Sequence, residues 1–117
     1  MRGLWLDRPW RPLDPVTIES LPAQLGVYEI GDETGAVVKI GYAGGRSTFG
    51  MRSALHDELA AGTGTQFRHE FTHGYLTRFE ELLMVHVAEH GDLPSANDQR
   101  HDVGRLHLDP TRAHGGA

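Results

Sequence analysis

The sequence predicts an α+β fold, a small three-stranded antiparallel sheet flanked by helices. Two short runs rich in β-branched and aromatic residues, GVYEI at 26–30 and AVVKIGY at 36–42, face each other across a Gly/Asp-rich loop and read as a hairpin. Residues 66–75 alternate, with Phe67, His69, Phe71 and His73 on one face and Arg68 and Glu70 on the other, which predicts a third strand. Two further stretches, about 49–61 and 76–90, carry apolar residues at helical spacing. A chain of 117 residues builds one such core and not two.

In chain order, residues 1–20 are irregular, because Pro9, Pro12 and Pro15 interrupt any long element. Trp5 and Trp10 are expected to pack as an extended arm, and 16–21 to make a short helical turn before the hairpin. The loop 31–35 closes that hairpin. Gly44–Thr48 is a flexible turn in which Ser47 or Thr48 would cap the first long helix, over 49–61. Its buried stripe is Met51, Leu55 and Leu59, and Gly62 ends it. The third strand follows, then the helix 76–90, stopped by Gly91. Beyond Asp92 the chain is polar, though 103–108 has the composition of an edge strand. The organisation is therefore an arm at 1–20, a domain at 21–98 and a tail at 99–117, with no internal repeat.

Composition narrows the function. Cysteine is absent, which excludes disulfides, thiolate metal ligands and a cysteine nucleophile. No apolar run reaches the roughly 18 residues a membrane span needs, and the N-terminus turns charged at once. The expectation is a soluble cytoplasmic protein. A net charge of −5 argues mildly against nucleic acid as a partner, since phosphates need local positive potential. The distribution argues the other way. No acidic residue falls between Glu33 and Asp57, whereas Lys39, Arg46 and Arg52 do, and Lys39 is the single lysine of the chain.

Several polar residues stand out of pattern. Tyr28 and Lys39 sit within the apolar strands of the hairpin. Arg52 and His56 lie one helical turn apart and point the same way. On the second helix the apolar arc is Phe79, Leu83, Val87 and Met84, and Glu80 falls inside it. A carboxylate on an apolar face costs desolvation unless it is paired or holds a cation. The plain alternatives are a solvated hairpin and a slightly rolled helix whose Glu80 reaches water.

With these residues placed, the chain resembles the GIY-YIG nuclease superfamily. Gly26-Val27-Tyr28 stands at the first motif and Lys39-Ile40-Gly41 at the second, where lysine replaces the usual tyrosine. Arg52 matches the helix arginine and His56 the histidine-or-tyrosine position. Phe79-Glu80 resembles the opening of the last main helix, and Pro94-x-x-Asn97 its closing signature. The interval between the last two is longer than usual, which leaves Glu81 as an alternative to Glu80. The resemblance covers about residues 18–98 in the order strand–strand–helix–strand–helix. It implies a metal-dependent endonuclease, with Tyr28, Lys39, Arg52, His56 and Glu80 catalytic and Glu80 holding Mg²⁺ or Mn²⁺. Arg46, Tyr42 and Asn97 would contact the substrate, a nucleic acid and by preference DNA. Arg52 would clamp phosphoryl oxygens, and Tyr28 or His56 would take the proton of the attacking water.

Two other readings compete. His69-Glu70-Phe71-Thr72-His73 fits H-E-x-x-H, the helical zinc-peptidase motif, but the alternation around it is that of a strand. His86 and His90 are also one turn apart, along an apolar arc that suits packing. The stronger rival is a non-catalytic member of the same fold that binds nucleic acid, which would tolerate loss of both Glu80 and a cation.

Overall fold

The computed structural model describes residues 5–97. In chain order the elements are β1 (Arg11–Pro12), α1 (Pro15–Glu19), β2 (Gly26–Gly31), β3 (Val37–Ala43), α2 (Met51–Ala61), β4 (Gln66–Phe71) and α3 (Tyr75–His90). The fold is α+β with an antiparallel sheet, as expected, but the sheet has four strands and not three, in the order β1-β4-β2-β3. The additional strand is β1. It is two residues long and pairs Arg11 with Phe67 and Pro12 with Gln66, too short for any alternation to show in the sequence. Pro12 can sit there because the strand is at the edge.

β2 is the central strand and every residue in it is buried. Its alternation divides the core. Tyr28 and Ile30 join Leu13, Ile18, Leu21, Met51, Leu55 and Phe67 on the face covered by α1 and α2. Val27 joins Leu6, Ile40, Phe79, Leu82, Leu83 and Leu93 on the face covered by α3. Fully burying side chains of this size contributes roughly 1.5–3 kcal/mol each, against about 0–1 for an exposed ion pair, so these two clusters fix where the polar residues end up. Leu6, Leu13 and Ile18 are core residues. Of the segment expected as an arm, the described residues from 5 onward thus contribute three side chains to the core.

Local chemistry accounts for the boundaries. Asp14 caps α1, its Oδ1 accepting from the Thr17 amide at 2.8 Å, and Pro15 opens the helix. α2 starts later than expected and is capped at Gly50, not at Ser47 or Thr48. The Met51 amide donates to the Gln24 carbonyl at 2.8 Å. Gly50 has φ +57, and a Cβ there would lie 2.6 Å from that same oxygen, so glycine is required. β4 ends at Phe71, short of 75, because the Thr72 amide turns to the Leu25 carbonyl. α3 is rolled relative to the expected arc: Leu82 is buried and Met84 is 47% exposed. Glu80 is thereby carried to the margin of the buried face, partly exposed.

After α3 the chain returns along β3. The Ala96 amide donates to the Val38 carbonyl at 2.8 Å, and the Asn97 carboxamide brackets Ile40, accepting from its amide and donating to its carbonyl at 2.9 Å each. The expected tail at 99–117, with its edge strand at 103–108, lies outside the described residues. Among the described residues no helix is long and apolar enough to cross a membrane.

Candidate active site

Tyr28 projects from β2 toward α2, and its ring lies across β3 at Gly41, its partner in the ladder. A Cβ at Gly41 would meet the phenol Cζ and oxygen at 2.4 Å, so only glycine leaves room for the ring. The phenol then reaches Glu58 on α2, donating to Oε2 at 2.5 Å. Lys39 stands on the same face of β3, and its Nζ meets that same oxygen at 2.7 Å. Thr63 donates to the other oxygen at 2.7 Å. Burial alone would push the Glu58 carboxyl up, but the bonds from Lys39, Tyr28 and Thr63 outweigh it and hold the group below the ordinary carboxylate range. Tyr28 moves the opposite way: burial, then the Glu58 charge, drive its phenol well above its usual value. Tyr28 is thus protonated at neutral pH, with its one hydrogen donated to Glu58.

Sequence reasoning missed Glu58, although a signal was present. It lies three residues after Leu55 and seven after Met51, inside the stripe those residues define.

Arg52 and His56 point the same way, and both meet Glu19 at the end of α1. His56 Nε2 lies 2.6 Å from Oε2, and Arg52 Nη1 lies 3.5 Å from Oε1. The hydrogen bond from His56 holds Glu19 below its ordinary value. Arg52 packs over the Phe49 ring at 5.6 Å, and its buried Nε has no hydrogen-bond partner. Arg46 and Tyr42 are brought together elsewhere, in a shallow pocket of about 420 Å³ with Gly44, Ser47, Tyr75 and Leu76. There Tyr42 stacks on Tyr75 with ring centroids 5.6 Å apart.

The remaining candidates stand apart. Glu80 is on α3, the helix that covers the other face of the sheet, and makes no hydrogen bond or ion pair among the described residues. Glu81 is held by Arg78 at 2.5 Å, so of the two carboxylates Glu80 is the available one. Asn97 is engaged with the Ile40 backbone, which is structural work. No group of three His, Asp or Glu side chains that could hold a metal comes together among the described residues. One carboxylate can nonetheless serve Mg²⁺, which keeps several waters and takes its other ligands from substrate phosphates. Residues 66–71 form a strand, so the helical turn on which H-E-x-x-H depends is not made by His69 and His73.

A family model described as a domain of unknown function, DUF7508, matches residues 4–89. The chain belongs to the DUF7508 family. No curated protein matches it, and no solved structure does. The DUF7508 match takes in β1 and α1 as well as the hairpin, which agrees with the burial of Leu6, Leu13 and Ile18. It includes Tyr28, Lys39, Arg52, Glu58 and Glu80 and stops short of Asn97. On the other face of this DUF7508 domain lies a cavity of about 610 Å³, with Glu29 and Arg68 in its wall and His86 and His90 at α3. Of the residues picked out by the GIY-YIG resemblance it contains Pro94 alone.

Proposed function

We propose that this chain is a metal-dependent endonuclease of GIY-YIG type, hydrolysing phosphodiester bonds of nucleic acid. The observation that carries the reading is the convergence of Tyr28 and Lys39, from the two motif positions of the hairpin, on one buried carboxylate, with Arg52 and His56 on the helix that supplies it. Packing alone gives no reason for a lysine and a tyrosine to share Glu58. In this scheme Glu58, itself fixed by the one hydrogen of the Tyr28 hydroxyl, orients the Lys39 ammonium, whose remaining hydrogens are donors to the substrate. Arg52, tied to Glu19 only by a 3.5 Å contact, offers its guanidinium to the phosphoryl oxygens. His56, half-exposed and oriented by Glu19, accepts the proton of the attacking water. Glu80, on the helix over the other face, would hold Mg²⁺ or Mn²⁺ against a substrate that reaches past the sheet to it, and the bound ion would supply charge neutralisation at the phosphate.

The test is cleavage of labelled single-stranded, duplex and branched nucleic acids with each cation. Glu80→Ala and Arg52→Ala are each expected to lower cleavage at least about 100-fold. Undiminished cleavage by Glu80→Ala overturns the assignment. A second reading, binding without turnover, is favoured by the ion pairs Lys39–Glu58 and Arg52–Glu19, which leave both cations partly neutralised. It takes over if the native chain binds nucleic acid and cleaves none.

A further inference from the structure

Of the basic island in the sequence only Arg46 stands without a carboxylate, and the other two such groups lie outside it. Of the lysines and arginines among the described residues, Lys39, Arg52, Arg68 and Arg78 each meet a carboxylate, while Arg8, Arg11 and Arg46 do not. Arg8 and Arg11 flank one groove of about 350 Å³, completed by Pro9, His69, Glu70 and Phe71. The groove exists because β1 pairs only with Gln66 and Phe67, so the preceding residues stand off the outer edge of β4. Glu70, the one carboxylate in its wall, is held by Arg78 at 3.3 Å. His69 and Phe71 lie two apart on one face of β4, their rings in edge contact at 4.9 Å. Burial, then the charges of Arg11 and Arg8, hold His69 below its ordinary value, so its ring is neutral at pH 7. In the ladder His69 is the direct partner of Tyr28 and Arg11 that of Phe67, which places both on the Tyr28 face of the sheet.

We propose that this groove binds one nucleotide of a single-stranded nucleic acid, the phosphodiester on Arg8 and Arg11 and the base on the His69 and Phe71 rings. Two guanidiniums without competing carboxylates suit a phosphate, and adjacent aromatic rings suit any unpaired base. A base held in a duplex cannot enter a space of this size. Tyr28 lies one strand over on the same face, so a strand seated here runs toward the Tyr28–Lys39 cluster. The choice of ligand rests on the nucleic-acid reading above, but binding here requires neither Glu80 nor a metal.

The experiment is anisotropy of a short labelled single-stranded oligonucleotide with chelator present, at several salt concentrations. The Arg8→Gln/Arg11→Gln double variant, which changes only groove-lining side chains, is expected to flatten the plot of log affinity against log salt by roughly 0.7 per lost contact. His69→Ala should weaken binding at least about fivefold, and His69→Phe should restore it. An unchanged slope in the double variant, or equal affinity for a duplex of the same sequence, overturns the proposal. Failure of cleavage with Arg8- and Arg11-dependent binding intact removes the nuclease and leaves this site. Cleavage with native binding in the double variant does the reverse.

Discussion

Glu58 accepts from a phenol, an ammonium and a threonine hydroxyl, and its titration should be readable in the stability of the whole chain. Its carboxyl is held below the ordinary 4.5, so the folded state favours the ionised form. The stability this supplies is present above about 4.5 and is lost as pH falls through the lower folded value. Glu29 works with the opposite sign: burial raises its carboxyl despite Arg68, so its protonation favours the folded state. The informative quantity is therefore a difference. The denaturation midpoint of the native chain should fall more steeply below pH 4.5 than that of Glu58→Gln, and parallel acid limbs would contradict this role. Tyr28 and Lys39 were legible in sequence because each interrupts an apolar strand. Glu58 was passed over although it falls within the Met51–Leu55 stripe, because a carboxylate near the end of an amphipathic helix is ordinarily assigned to its solvated face.

At the level of elements, the hairpin and the two long helices were legible because their periods of 2 and 3.6 persist over many residues. β1 has two residues and therefore no period, and the cap of α2 is decided by Gln24, 26 positions before Gly50. The roll of α3 could not be read from a wheel that weighs Met84 and Leu82 alike. The strand pair β2–β3 also makes a specific demand at Gly41. Its absent side chain is the seat of the Tyr28 ring, so Gly41→Ala must displace that ring or spread the strands. We expect a loss of about 1–3 kcal/mol, the usual range for forcing a methyl into packed space. Ultraviolet absorbance of Tyr28 should report the altered environment. A variant as stable as the native chain, with unchanged absorbance, would show that the ring does not lie there.

For the molecule as a whole, the polar candidates are arranged around a two-faced core. The α1 and α2 face carries Tyr28, Lys39, Arg52, His56 and Glu58, and α3, which carries Glu80, covers the other. Grouping by face was predictable from strand alternation, whereas the pairing of Lys39 with Glu58 and Arg52 with Glu19 depended on helix placement that no local pattern encodes. The return of residues 94–97 along β3 has a further consequence. Without it, Val38 and Ile40 would present open amide and carbonyl groups on a strand rich in valine and isoleucine, a template for the same strand of another copy. A chain cut after Asp92 should therefore sediment as associated species at concentrations where the intact chain does not. Asn97→Ala, which leaves the Ala96 bond in place, should show a weaker form of the same tendency. The short segment after α3 thus acts as a guard against aggregation, and a truncated chain that stays dispersed would argue against that role.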